Sequence, residues 1–351
     1  MKKISAKRVI ILVVAAILSG VILYGVSSFL RPEQVKTSGT AQIAEFPKCG
    51  DVACYREAYK QLVSTQGALA AFEDIKQRYE TDESVKSLCH PLMHVIGQGA
   101  AQEFTDVSAA FAKGDSFCWS GYYHGVLEAF VSRVGLNRLV SELDTVCSGI
   151  ADKAAYGFDY YNCVHGLGHG IMVVHANNVF KSLDVCGNLS GSWERQSCWS
   201  GVFMENIIID TQGYTSEYLK KDDPLYPCSA VDEKYKTICY LMQTSYMLKV
   251  FDYDYGKVFA ACATVGPHAA TCYQSLGRDA SGQSISNAER TREICMSGVT
   301  TEQRSNCIIG AAKDFISYFH SDTQANELCA SVAQELRQTC YDTVKSYYEL
   351  F

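Results

Sequence analysis

From Asp51 to the C-terminus, apolar residues recur at spacings of three and four, the period that lines up one face of an α-helix. Ala53, Tyr55, Ala58, Tyr59 and Leu62 make one such stripe, and Leu69, Ala70, Phe72, Ile75 and Tyr79 make the next. Glu83 to Gly99 predicts a third helix, in which Pro91 must sit near the start or kink the chain, because proline has no N–H and crowds the preceding turn. The N-terminus has another pattern. Val9 to Leu30 is an uncharged apolar run of 22 residues preceded by Lys2, Lys3, Lys7 and Arg8. About 20 apolar residues cross a bilayer, so residues 9–30 are expected to be a transmembrane signal-anchor, with the basic flank 1–8 in the cytoplasm. An uncleaved anchor is favoured over a signal peptide, whose apolar region is shorter. The polar stretch 31–48, with Ser38, Gly39 and Thr40, reads as a linker. Residues 49–351 are then an extracytoplasmic domain, periplasmic or at the cell surface, joined to the membrane only by the N-terminal helix.

A cysteine pattern lies over the helical one. The chain has 16 cysteines and no Cys-x-x-Cys pair, which favours disulfides over thiolate ligation of zinc. A Cys followed by an aromatic or apolar residue recurs at Cys118, Cys163, Cys198, Cys239, Cys272, Cys307 and Cys340, at intervals of 45, 35, 41, 33, 35 and 33. From Cys163 onward each has a partner shortly before it: Cys147, Cys186, Cys228, Cys262, Cys295 and Cys329, with gaps of 16, 12, 11, 10, 12 and 11. A period near 34 is that of helix–turn–helix repeats. Each unit therefore predicts an αα-hairpin closed by its own disulfide. The remaining Cys49, Cys54, Cys89 and Cys118 allow three connectivities; Cys49–Cys54 with Cys89–Cys118 is favoured, and a crossed arrangement is the alternative.

The expected fold is all-α, with disulfide-stapled αα-hairpin repeats forming a solenoid. On its period and cysteine pairing, the chain from roughly Glu83 onward resembles the Sel1-like and tetratricopeptide-type solenoids. The tetratricopeptide Trp-Leu-Gly-Tyr consensus is absent, and the resemblance implies an architecture and no function.

Composition narrows the class. With 48% hydrophobic residues, 20% charged residues and 6 Pro, the chain can bury a large core and is not extensively disordered. Beyond Arg31 it holds 26 basic against 38 acidic residues, a net −12, so nucleic acid is not expected as a partner.

The candidate chemistry is histidine. Cys163-Val164-His165-Gly166-Leu167-Gly168-His169-Gly170 places two histidines four apart, on one helix face, as metal-chelating helices do. His90 and His94 repeat that spacing after Cys89, and His124 and Glu128 share it after Cys118. Cys198-Trp199-Ser200-Gly201-Val202-Phe203-Met204-Glu205 repeats the frame with Met204 at the position of His124. The three glycines around His165 and His169 cost about 1 kcal/mol each in a helix, which close approach of another backbone or a ligand must offset. Counted from the second-helix Cys, His124 and His169 share offset +6, while Ser120, His165 and Ser200 share +2. Equivalent positions of stacked repeats face the same way. His94, His124, His165 and His169 are therefore the expected metal ligands, with His90 a weaker candidate, and the site falls within about 89–206. Later units carry Ser245, Arg278 and Lys313 at +6, which confines the cluster to the first half. Imidazole with carboxylate suits zinc or non-haem iron. Glu128 and Glu205 are the candidate general bases of a metal-dependent hydrolase. The alternative is a non-catalytic scaffold that binds a protein or peptide, with the histidines structural. Walker-type, Gly-x-Ser-x-Gly and dinucleotide motifs are absent.

Overall fold

Long and short helices alternate along the chain. The computed structural model describes Pro47 and residues 49–104, 106–208, 216–284 and 287–349, so the expected anchor at 9–30 and most of the linker lie outside the described residues. Two helices open the domain: α1 (Val52–Gln66), capped by the Asp51 carboxylate on the Cys54 N–H, and α2 (Ala68–Tyr79). Then come α3 (Glu83–Glu103), α4 (Val107–Phe111), α5 (Gly121–Val134), α6 (Leu136–Val146), α7 (Phe158–Val174), α8 (Val179–Cys186) and α9 (Ser192–Ile208). The second half holds α10 (Glu233–Val250), α11 (Tyr255–Cys262), α12 (Ala269–Gln283), α13 (Ala288–Met296), α14 (Thr301–Phe319), α15 (Thr323–Ser331) and α16 (Gln334–Tyr348). No strand occurs among the described residues, and no helix there is long and apolar enough to cross a membrane.

Helix starts follow from sequence. Asp82, Asn178, Asp254, Asn287 and Thr300 each accept a backbone N–H of the first turn with the side chain, the role of short polar residues at an N-cap. Pro91 lies well inside α3, between His90 and the turn that carries His94, and not near the helix start.

All eight expected disulfides are present, including Cys49–Cys54 and Cys89–Cys118, with Cα atoms 5.3–5.9 Å apart. Most join a short helix to the long helix that follows it. The exceptions are Cys228, in a turn before α10, Cys49, just ahead of α1, and the Cys89–Cys118 bond, which runs from α3 to the turn before α5. Each long helix packs on the next in the order α3, α5, α7, α9, α10, α12, α14, α16.

This row doubles back on itself. Tyr79 and Tyr318 pair through their hydroxyls at 2.9 Å, Trp119 lies against Tyr318, and His320 meets both Ser116 and Phe158. The C-terminal end of α14 thereby touches α2 and the segments leading into α5 and α7. The row lines a half-open cavity of about 430 Å³, and every helical residue on its wall belongs to a long helix.

Replacing both Cys262 and Cys272 by Ser should lower the unfolding free energy by about 3 kcal/mol, the loop-closure contribution of so short a staple. Urea unfolding followed by far-ultraviolet circular dichroism checks it. The native helical signal should be kept, because the other staples remain.

Candidate metal centre

Two close helix contacts build the cluster. A Cβ placed on Gly125 would stand 2.1 Å from the His94 carbonyl oxygen, and one on Gly97 2.0 Å from that of Tyr122. In the same way Gly201 lies against the His165 carbonyl (1.9 Å) and Gly168 against that of Cys198 (2.1 Å). Only glycine lets α5 meet α3, and α9 meet α7, backbone to backbone. Here is the offset for the glycine cost: the contacts bring side chains on neighbouring helices within reach of one another.

Carbonyl and carboxylate partners fix the tautomers of His90, His94 and His169, while His165 Nδ1 meets the hydroxyls of Ser200 and Tyr161. His90 Nδ1 is 2.8 Å from the Cys118 carbonyl, which can only accept, so Nδ1 carries the proton. His94 Nδ1 donates to Glu128 Oε1 at 2.6 Å, and His169 Nδ1 to Glu205 Oε2 at 2.8 Å. Ser200 Oγ donates to the Ser197 carbonyl at 2.7 Å, which leaves its lone pairs to accept from His165 Nδ1 at 2.7 Å. Each of these imidazoles therefore has its lone pair on Nε2. The Nε2 atoms of His90 and His94 face each other at 3.0 Å, and those of His165 and His169 at 3.1 Å. Two such lone pairs repel unless a cation stands between them. Two nitrogens on one tetrahedral zinc, at about 2.0–2.1 Å each, lie roughly 3.3 Å apart.

A proton is a poor candidate for that cation. Burial, reinforced by the neighbouring His94, pushes His90 and His165 down to about 3. Burial and then the other imidazoles hold His124 and His169 well below the ordinary range. His124 lies between the two pairs, stacked on His169 with ring centroids 4.3 Å apart and 5.3 Å from the His90 ring. Its Nδ1 is buried without a hydrogen-bond partner.

The carbonyl that fixes His90 comes from a strained turn. Cys118, Trp119 and Ser120 have φ of 54°, 53° and 62°, three consecutive left-handed residues none of which is glycine. Each costs about 1–2 kcal/mol. The Cys89–Cys118 disulfide holds this turn against α3 beside His90.

All seven residues expected from the sequence are thus brought together, His90 as closely as the rest. Glu128 and Glu205 are not where a base would act on a bound molecule. Both are buried, at 4% and 1% exposure, and neither lines the cavity. Each takes an imidazole N–H, and Glu128 also accepts from Gln98 at 2.6 Å. His175, His268 and His320 lie outside the cluster, on Ser182, on Thr237 and Glu233, and on Ser116 respectively.

The histidine cluster stays in the first half, and the cavity beside it draws on the last helices as well. His124 and His165 share it with Gln274, Arg278, Lys313, Asp314 and Tyr347 of the last helices. Arg278 is tied to the Leu241 carbonyl and the Asp279 carboxylate, while the Lys313 ammonium donates to Gln274 Oε1 at 3.1 Å. Burial raises the Asp314 carboxyl to about 6. The signal was the same frame: Ser120, His165, Leu241 and Gln274 at +2, and His124, Met204, Arg278 and Lys313 at +6, all reach this wall. Of the aromatic residues, Trp199 packs on Tyr235 as expected of a core ring, whereas Trp119 and Tyr161 line the cavity.

No family model, curated protein or solved structure matches the chain, so nothing of another protein's activity transfers to it.

Gly201→Ala should destabilise the fold by about 1–3 kcal/mol, because the new methyl must displace the α7 backbone. The measurement is urea unfolding, with Gly135→Ala avoided as a control since its φ of 77° adds its own strain. In metal-free protein, stability should fall as the pH drops from about 6.5 towards 3, by about 1.4 kcal/mol per unit for each of His90 and His165. The sign follows from depressed folded-state values: over that window the unfolded chain binds the proton that the folded chain refuses. Unfolding curves at pH 7, 6, 5 and 4 in chelator check the slope.

Proposed function

We propose that the domain binds a divalent transition-metal ion on its histidines and uses it as a metal-dependent hydrolase acting on a molecule held in the cavity. The observation that carries this reading is the facing of Nε2 lone pairs at 3.0 and 3.1 Å while every Nδ1 of those pairs is committed elsewhere. Carboxylate or carbonyl partners on the far ring nitrogen are the usual outer support of metal-bound imidazole. Glu128 and Glu205 fit that positioning role, in place of the general-base role expected from sequence. With the carboxylates turned to Nδ1, the donors facing inward are imidazoles. That set favours zinc over iron, whose oxygenase sites take a carboxylate directly. Zinc held by three imidazoles with an open position supplies a water of pKa about 7.

The cavity supports an enzyme over a purely structural metal. Its volume of about 430 Å³ suits a small ligand, and His124 and His165 reach its wall. Lys313, with a neutral amide as partner, offers a counter-charge to an anionic substrate group. Trp119, Tyr161 and Trp193 supply apolar surface there.

We also infer the wider setting. The stapled helix pairs stack as a solenoid whose long helices carry the site, residues 9–30 anchor the chain, and the domain lies outside the cytoplasm. Eight disulfides support that placement, since they persist in oxidising compartments.

Elemental analysis of protein purified without a His-tag tests the metal. Zinc should be retained, His165→Ala and His169→Ala should lose most of it, and His268→Ala should keep it. Glu205→Gln should weaken zinc binding about 10–100-fold without abolishing it. Protein that neither retains nor rebinds metal would end the metal reading. Bound zinc with no chelator-sensitive hydrolysis across ester, phosphoester and peptide probes would leave the scaffold alternative.

A further inference from the structure

The five imidazoles do not converge on one point. His90, His94 and His124 form one set whose ligand atoms all lie within 4.8 Å of one another, His124, His165 and His169 form a second, and His94, Glu128, His169 and Glu205 form a third that includes both carboxylates. The two imidazole sets have His124 alone in common. Resting on the metal reading above, we propose that the centre holds two divalent metal ions, one on each histidine pair, with His124 shared between them.

A single ion on either imidazole set leaves the structure half explained. On His165, His169 and His124 it would relieve the 3.1 Å contact of one pair and leave His90 and His94 with facing lone pairs at 3.0 Å. The reverse placement leaves the other pair unrelieved. Two ions account for both contacts with the same chemistry. The halves are also built alike: α3 and α7 each carry two histidines at i, i+4, and each packs through glycine on a helix whose carboxylate takes the second histidine's Nδ1.

Once its ring turns out of the stack on His169, His124 has the properties a shared ligand needs. It is 2% exposed, lies between the pairs, and its Nδ1 is buried with no hydrogen-bond partner. Each of the other four rings spends Nδ1 on a hydrogen bond and has only Nε2 to give; His124 has both nitrogens uncommitted to such a partner among the described residues. To serve two ions it loses its remaining N–H proton to solvent as the second ion binds and becomes an imidazolate. Glu128 ties the halves together, 2.6 Å from His94 Nδ1 and 4.0 Å from His169 Nδ1. With Glu205 it places two carboxylates in the buried shell, which with the imidazolate offset most of the charge of two divalent ions.

The test uses the whole domain, stripped with chelator and titrated with Zn²⁺, Co²⁺ or Cu²⁺. Two equivalents should bind tightly. The His90→Ala, His94→Ala double variant and the His165→Ala, His169→Ala double variant should each keep one, with circular dichroism confirming the native helix content. Electron paramagnetic resonance of the fully Cu²⁺-loaded wild type should show two coupled spins and loss of most of the isolated-ion signal. One equivalent in the wild type would overturn the proposal while sparing the metal reading. Two equivalents with uncoupled spectra would overturn the sharing of His124. No binding at all would fall on the metal reading itself. The wild-type stoichiometry decides even if a variant fails to fold.

Discussion

Contact between helix backbones at glycine is the constraint on which the site depends. Where α5 meets α3 and α9 meets α7 there is no room for a side chain between the two backbones. An imidazole on one helix then spans the gap to a carboxylate or hydroxyl on the next. The same device recurs between α12 and α14, where Gly277 and Gly310 lie against the Cys307 and Gln274 carbonyls. That pair carries Arg278, Asp279, Lys313 and Asp314 in place of histidines. One packing solution is thus used three times, the third time with different polar residues.

Disulfides stiffen these contacts where they matter. Cys89 precedes His90, Cys163 stands two residues before His165, and Cys198 two before Ser200. Each staple therefore fixes the helix turn that presents a ring or its partner. The left-handed turn at Cys118–Ser120 shows the cost a protein accepts for position, since it spends several kcal/mol of backbone strain to aim one carbonyl.

Much of this was legible in the sequence because it is local. Every cysteine pair after Cys118 spans at most 16 residues, so period and gap alone select the partner. The histidine cluster was legible because helical offsets from a fixed cysteine translate into a common direction. The roles of Glu128 and Glu205 were not, since offset gives a direction and does not say which ring nitrogen a carboxylate meets. Nor was the sharing of one cavity by His165 and Lys313. That depends on how far each helix pair rotates on the last, a small angle accumulated over the row, and on contacts as distant in sequence as Tyr79 with Tyr318.

The staples have a consequence for how the domain is closed. Each covalent bond links neighbours along the chain, and none joins the first helices to the last. The seam where the two ends of the row meet is closed by a tyrosine pair, a serine–histidine hydrogen bond and aromatic edges. The domain is thus a string of rigid links fastened by a clasp. None of the contacts in that clasp is covalent, and the helices that carry the five clustered histidines are stapled independently of it.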